Sequence, residues 1–163
     1  MTQRYIRIRY QHSIKIHATK EEVFPLLCLV REGEWLPDFS SETVFSESGI
    51  TELDSIFVTG HKTSYERFWI IPIYKKNNFI EMVYFQPETK IVIIKLTLQE
   101  SSTSKTSLQV EYIYTSISDK GNAALQEFTE EDFIKQINQW QVSLNYLFEK
   151  GSRIPENLLL QHH

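Results

Sequence analysis

The chain has a single cysteine, Cys28, so no intramolecular disulfide can form and the fold must rest on its core. Long apolar runs are missing too; none approaches the ~20 residues that a membrane helix requires. The N-terminus is polar and basic and lacks an apolar stretch of the kind a secretory signal carries, so a cytoplasmic address is expected. Positive charge is scarce. The net charge is −4 over 163 residues. The densest basic cluster is Arg4, Arg7 and Arg9, interleaved with Tyr5, Ile6 and Ile8, and alternation puts Arg7 and Arg9 on the solvent side of a strand. A nucleic-acid groove needs a larger basic surface, so no nucleic-acid partner is expected. His12, His17 and His61 are scattered without ligand spacing, and His162 and His163 stand at the very end, so no metal is expected. There is no glycine-rich phosphate loop and no nucleophile elbow, and no cofactor is expected. No nucleophile and base can be paired from the sequence, and the catalytic residues, if any, stay unassigned. Internal repeats, linkers and low-complexity tracts are also absent.

What the chain does have is ring surface. Aromatic residues make up 13%, with ten Phe, eight Tyr and three Trp. That exceeds the need of a minimal core and points to a cavity lined by rings, although bulky sheets also collect aromatics. The length suits one domain, expected over residues 1–151 with a C-terminal tail at 152–163. Such a domain buries roughly 70% of its unfolded surface.

Residues 5–17 alternate as a strand, with Ile6, Ile8, Tyr10, Ile14 and Ile16 on one side. Thr19 and Glu22 form a capping-box signature for a helix carrying Val23, Leu26, Leu27 and Val30. Gly33 and Pro37 then break regularity, leaving room for a second short helix or a turn. From there the pattern is β, with strands expected at 42–48, 55–61, 65–74, 78–86, 90–100 and 105–118. Turn residues separate most of them, so an antiparallel meander follows. Thr129 and Asp132 open a long helix to about Lys150, whose stripe is Phe133, Ile137, Trp140, Leu144 and Leu147. Gly151 suits its C′ position. That stripe needs a cover, and the sheet is the available surface. The fold class is therefore α+β: a curved antiparallel sheet of about seven strands wrapped around a long C-terminal helix, with two short helices after the first strand.

This order resembles the helix-grip order of the START-like, or polyketide cyclase/dehydrase-like (SRPBCC), superfamily. The resemblance rests on the run from His12 to Leu27, on Glu34-Trp35-x-Pro37, on Trp69, on Tyr112 and Tyr114 leading to Ser118-Asp119-Lys120-Gly121, and on Trp140 to Gly151. It covers about residues 10 to 151. It implies a cavity between sheet and long helix, used across the superfamily for lipids, hormones, polyketides or aromatics.

The candidate cavity residues are Glu34, Trp35, Arg67, Trp69, Tyr112, Tyr114 and Trp140. Glu34 and Trp35 resemble the segment near the cavity mouth; alternatively Trp35 plugs the gap beside the short helices while Glu34 caps a turn. Tyr112 and Tyr114 share a strand face with Leu108 and Val110 and point inward. On strand 90–100 the apolar side is Val92, Ile94, Leu96 and Leu98, which leaves Lys95 toward solvent. Strand 65–74 is ambiguous by alternation alone, and the resemblance implies Trp69 and Arg67 inside. Cys28, among aliphatic neighbours, reads as an inert small hydrophobe. The expected partner is a small hydrophobic molecule, bound without catalysis and without membrane insertion. Two other readings stand beside it: a cyclase-, dehydratase- or hydrolase-type enzyme using Tyr112, Arg67 or Glu34, and a protein-interaction module.

Overall fold

The computed structural model describes residues 4–159. Seven antiparallel strands lie in the order β1-β7-β6-β5-β4-β3-β2. The edges are β1 (Arg7–Ile16) and β2 (Ser41–Phe45). Between them run β3 (Ile56–Thr59), β4 (Arg67–Lys75), β5 (Phe79–Gln86), β6 (Lys90–Ser102) and β7 (Lys105–Ser116). Strands β2 to β7 pair in sequence order, as the short turns between them dictate, and β7 closes back onto β1.

Alternation decides which side chains face the core. On β6 the buried set is Val92, Ile94, Leu96 and Leu98, and Lys95 instead lies beside Glu81 on the outer face. On β4, Trp69 and Ile71 are buried while Phe68 and Ile70 stand half exposed outside. The register then shifts between Ile70 and Ile73. Pro72 sits in that shift, where its missing N–H does least harm to the ladder, and the parity changes so that Tyr74 turns inward onto Phe24.

The capping box at Thr19 and Glu22 forms in both directions, but the helix it starts is shorter than the expected span to Val30. Helix α1 covers only Lys20–Val23 and tightens into a 3-10 turn at Phe24–Leu27. Pro25 has no N–H for an α-helical bond, so the α-helix cannot continue through it. Val30 is exposed as a result, while Val23, Leu26 and Leu27 are buried. A second 3-10 turn spans Glu32–Glu34.

Helix α2 (Asp119–Glu127) was not among the elements expected from the sequence. The hydroxyl of Ser118 caps it by accepting from the Gly121 amide at 3.0 Å. The last long helix, α3 (Glu130–Lys150), has 21 residues and so extends about 31 Å. Its start is the Thr129–Asp132 capping box and its end is Gly151, in the left-handed conformation at φ 75°. Phe133, Ile137, Trp140 and Leu144 of α3 are buried against the concave face of the sheet, each contributing roughly 1.5–3 kcal/mol, and Leu147 is half buried.

The polar edge of α3 has its own task. Gln141 accepts from the Lys15 amide and Asn145 from the His17 amide, both at 2.8 Å, and the Asn145 amide group donates back to the Lys15 carbonyl at 3.1 Å. These bonds satisfy the outer edge of β1, which would otherwise present unpaired backbone. Residues 152–159 do not hang free. Ile154 is buried, Arg153 donates to the Gly33 carbonyl at 3.1 Å, and a short helix α4 (Glu156–Leu159) follows. His162 and His163 lie outside the described residues. Among the described residues, no helix is long and apolar enough to cross a membrane.

Candidate functional site

The sheet curls around α3 without filling the space at one end, and a cavity of about 430 Å³ opens there. Its mouth is formed by Asp38, Ser40, Gly60 and Tyr65, from the loops flanking β2 and β3 to β4. Its walls are Leu36 and Phe39 on one side and Trp69, Tyr112 and Trp140 on the other. A smaller lobe of about 150 Å³ continues inward, bounded by Tyr84, Lys90, Tyr114 and Phe128. Arg67, Trp69, Tyr112 and Gln136 border both spaces.

Arg67, Trp69, Tyr112, Tyr114 and Trp140 are therefore brought together by the fold. Glu34 and Trp35 are not. The Glu34 carboxylate faces solvent and pairs with Arg31 at 2.6 Å, which holds its pKa below the usual range. The spacing of three residues on a 3-10 turn sets these two side chains one above the other. Trp35 is fully buried beneath the short helices, donating its indole N–H to the Leu26 carbonyl at 2.6 Å. It supports the cavity wall by meeting Trp140 edge to face, and does not line it.

The carboxyl that does face the cavity is Glu32, a residue sequence reasoning passed over. It is buried, and no hydrogen bond or ion pair to a described residue reaches its carboxyl group. Desolvation alone pushes its pKa up to about 8, so near neutral pH it is mostly the neutral acid. The neighbouring Tyr112 hydroxyl is also held neutral, first by burial and then by Tyr114, Tyr84 and Glu32 around it.

Two further residues escaped the sequence reading although a signal was present. Lys90 begins β6 with the same parity as Val92 and Ile94, so it points inward. Tyr84 shares the inward parity of Ile80 and Met82. The Arg67 guanidinium carbon lies 4.5 Å from the centre of the Tyr84 ring, and its Nε donates to Gln86 at 3.3 Å. The Lys90 ammonium is 5.9 Å from the centre of the Tyr114 ring. Burial and then the charge of Arg67 lower the Lys90 pKa. The Trp69 indole N–H is already occupied by Thr59 at 2.9 Å. Cys28 is buried, and burial raises its thiol pKa, which fits a packing role.

A sheet gripping a long helix, with a part-apolar cavity between them, defines a helix-grip protein, and solved structures share that fold. Norcoclaurine synthase from Thalictrum flavum, in complex with dopamine and hydroxybenzaldehyde, superposes with a TM-score of 0.62 at 8% identity, over 90% of this chain and 88% of that one. Protein MLL2253 from Mesorhizobium loti does so at 0.64 and 13% identity, over 88% and 98%. DynU16, from the dynemicin biosynthetic locus, matches at 0.58 and 11% identity over 88% of this chain, which spans 48% of DynU16. No protein-family model matches the chain, and no curated protein sequence does. At these identities the likeness establishes the fold alone: the chain has the helix-grip architecture.

Proposed function

We propose that this protein binds a small, largely apolar or aromatic molecule in the cavity between sheet and α3, and holds it without transforming it. The observation that carries this reading is the cavity itself. Rings of Trp69, Trp140 and Tyr112 wall a space of about 430 Å³, which falls in the range of small-molecule sites. A few polar fixtures, Arg67, Tyr112 and Tyr114, stand where they can orient one end of a ligand. The helix-grip fold adds support, since the norcoclaurine synthase structure of the same fold holds two small aromatic molecules. The single buried thiol of Cys28 suits a cytoplasmic setting.

One observation favours a second reading. A neutral, buried carboxyl facing a cavity, as Glu32 does, is the form a general acid takes. An enzyme of cyclase, dehydratase or hydrolase type would then use Glu32 beside Tyr112. The experiment that separates the two is native mass spectrometry of the purified protein against fatty acids, flavonoids and aromatic polyketides, with product analysis on every hit. Binding with unchanged ligand supports the carrier. Turnover that is abolished by Glu32→Gln moves the assignment to the enzyme. Failure of every compound to bind overturns both.

A further inference from the structure

The inner lobe of the cavity is rich in hydrogen-bond donors and has no acid. Arg67 and Lys90 both reach it, and neither has an ion pair with a described residue. Arg67 has only the neutral Gln86 and the Tyr84 ring for company, and Lys90 has the Tyr114 ring. The hydroxyls of Tyr84, Tyr112 and Tyr114 add three more donors, and none of them is bonded to a described residue. The acids that line the adjoining outer space are Glu32, whose carboxyl is mostly neutral there, and Asp38, exposed at the mouth.

Two partly buried cations side by side repel each other and lose hydration, and a protein gains nothing structural from leaving both without a carboxylate. Replacing either by a neutral residue would relieve that repulsion. The arrangement is compensated when an anion enters, because each cation then gains a charge-assisted bond in a water-poor space. Arg67 is suited to grip a planar carboxylate, Lys90 adds a point charge, and the phenols fill the remaining lone pairs.

We propose that the inner lobe is an anion subsite, and that the ligand is an amphipathic acid whose carboxylate lies between Arg67 and Lys90 while its apolar body extends along Trp69 and Trp140. This rests on the ligand-binding reading above and adds the charge and orientation of the ligand. The size of the lobe agrees. At about 150 Å³ it admits a carboxylate and the atoms next to it, and leaves a ring or chain to the larger space.

The test uses three probes of one shape and different charge: naphthylacetic acid, its neutral primary amide, and naphthylethylamine. Affinity is read by titration calorimetry and by the emission of Trp69 and Trp140, which wall the site. The acid is expected to bind at least about 10-fold tighter than the amide, and the amine weakest. Lys90→Gln and Arg67→Gln should each shrink the preference for the acid over the amide, because the charge-assisted part of the binding is lost only for the acid. Arg67 also covers the Tyr84 ring, so Arg67→Gln is judged only if its melting curve stays cooperative. Lys90→Gln, at the start of β6, carries the test by itself. An acid that binds no tighter than its amide, or a preference that survives Lys90→Gln, overturns the anion subsite and leaves the apolar cavity standing. If acid and amide both fail to bind, the cavity reading falls together with the subsite.

Discussion

The indole rings of Trp35 and Trp140 meet edge to face, with centroids 5.7 Å apart and planes 78° from each other. One ring comes from the irregular segment before the sheet and the other from the middle of α3. Their contact ties the first third of the chain to the last. Trp140 also spans two roles, since its far side borders the cavity and lies within ring-contact distance of Tyr112, at 6.3 Å.

This division of labour predicts unequal effects of truncation. Trp35→Ala should cost about 3–5 kcal/mol, because it opens a void inside the core and strips the Leu26 carbonyl of its donor. Trp140→Ala should cost less, because part of the space it vacates joins an existing cavity. Equilibrium urea unfolding of the two variants measures both. A larger loss for Trp140→Ala would mean that the cavity is closed and the ring fully packed.

The cover on β1 gives a second prediction. Gln141 and Asn145 replace the strand that an edge lacks, each bond contributing about 0.5–1.5 kcal/mol. Asn145→Ala should speed hydrogen exchange at the His17 amide, and Gln141→Ala at the Lys15 amide, with little change at buried β7 amides such as Val110. Uniform acceleration across the sheet would show that these side chains act on global stability instead.

A third prediction concerns Gly121, in the first turn of α2. A Cβ at this position would lie 2.0 Å from the Thr89 carbonyl oxygen and 2.5 Å from the Ser116 hydroxyl. The helix comes this close because Ser118 bonds the Glu88 carbonyl and the Ile117 amide bonds Thr89 at 3.0 Å. Gly121→Ala must push α2 off the β5–β6 turn, and such overpacking costs about 1–3 kcal/mol. The same shift displaces Lys90 next to Thr89, so acid binding should weaken along with the melting temperature. An alanine variant with wild-type stability would mean the backbone yields freely there.

Most of the fold could be read in the sequence because its signals are local and repeat. The alternation of Val92, Ile94, Leu96 and Leu98 fixes a strand face, and Thr129, Asp132 and Gly151 mark the two ends of α3. The site was harder. Tyr112 and Tyr114 were placed inside by strand parity, which carries a side chain to one face or the other, whereas on β4 alternation left two options and it was the resemblance that put Arg67 and Trp69 inside. Lys90 obeys the same parity but stands first in its strand, beside a turn, where a lysine reads as solvent-facing. Glu32 and Glu34 lie in a segment with no period at all. Only the three-residue spacing of Arg31 and Glu34 hinted that Glu34 turns outward to a partner, leaving Glu32 for the inside. Helix α2 was hidden by Gly121, which reads as a turn residue and is needed for close packing instead.

The buried acid gives the last prediction, and its sign follows from linkage. The Glu32 pKa stands at about 8 in the folded protein against 4.5 for the free side chain. The folded state therefore holds a proton that the unfolded chain has released, throughout the interval between these values. Stability contributed through Glu32 is intact below about pH 4.5, falls as pH rises through that interval, and is lost above about pH 8. The loss is on the order of several kcal/mol for a carboxyl this buried. Other carboxylates act oppositely: Glu34, held low by Arg31, and Asp132, held low by the Thr129 backbone, lose their contributions only as pH falls. Comparing wild type with Glu32→Gln isolates the buried group. The Gln variant should match wild type near pH 5 and become the more stable protein by about pH 8, as judged by urea midpoints. A bound acid near Arg67 would raise the Glu32 pKa further by like-charge repulsion, moving the wild-type decline to higher pH. A wild-type curve parallel to that of Glu32→Gln across the whole range would show that the carboxyl ionises freely, and would remove it as a proton donor to anything the cavity holds.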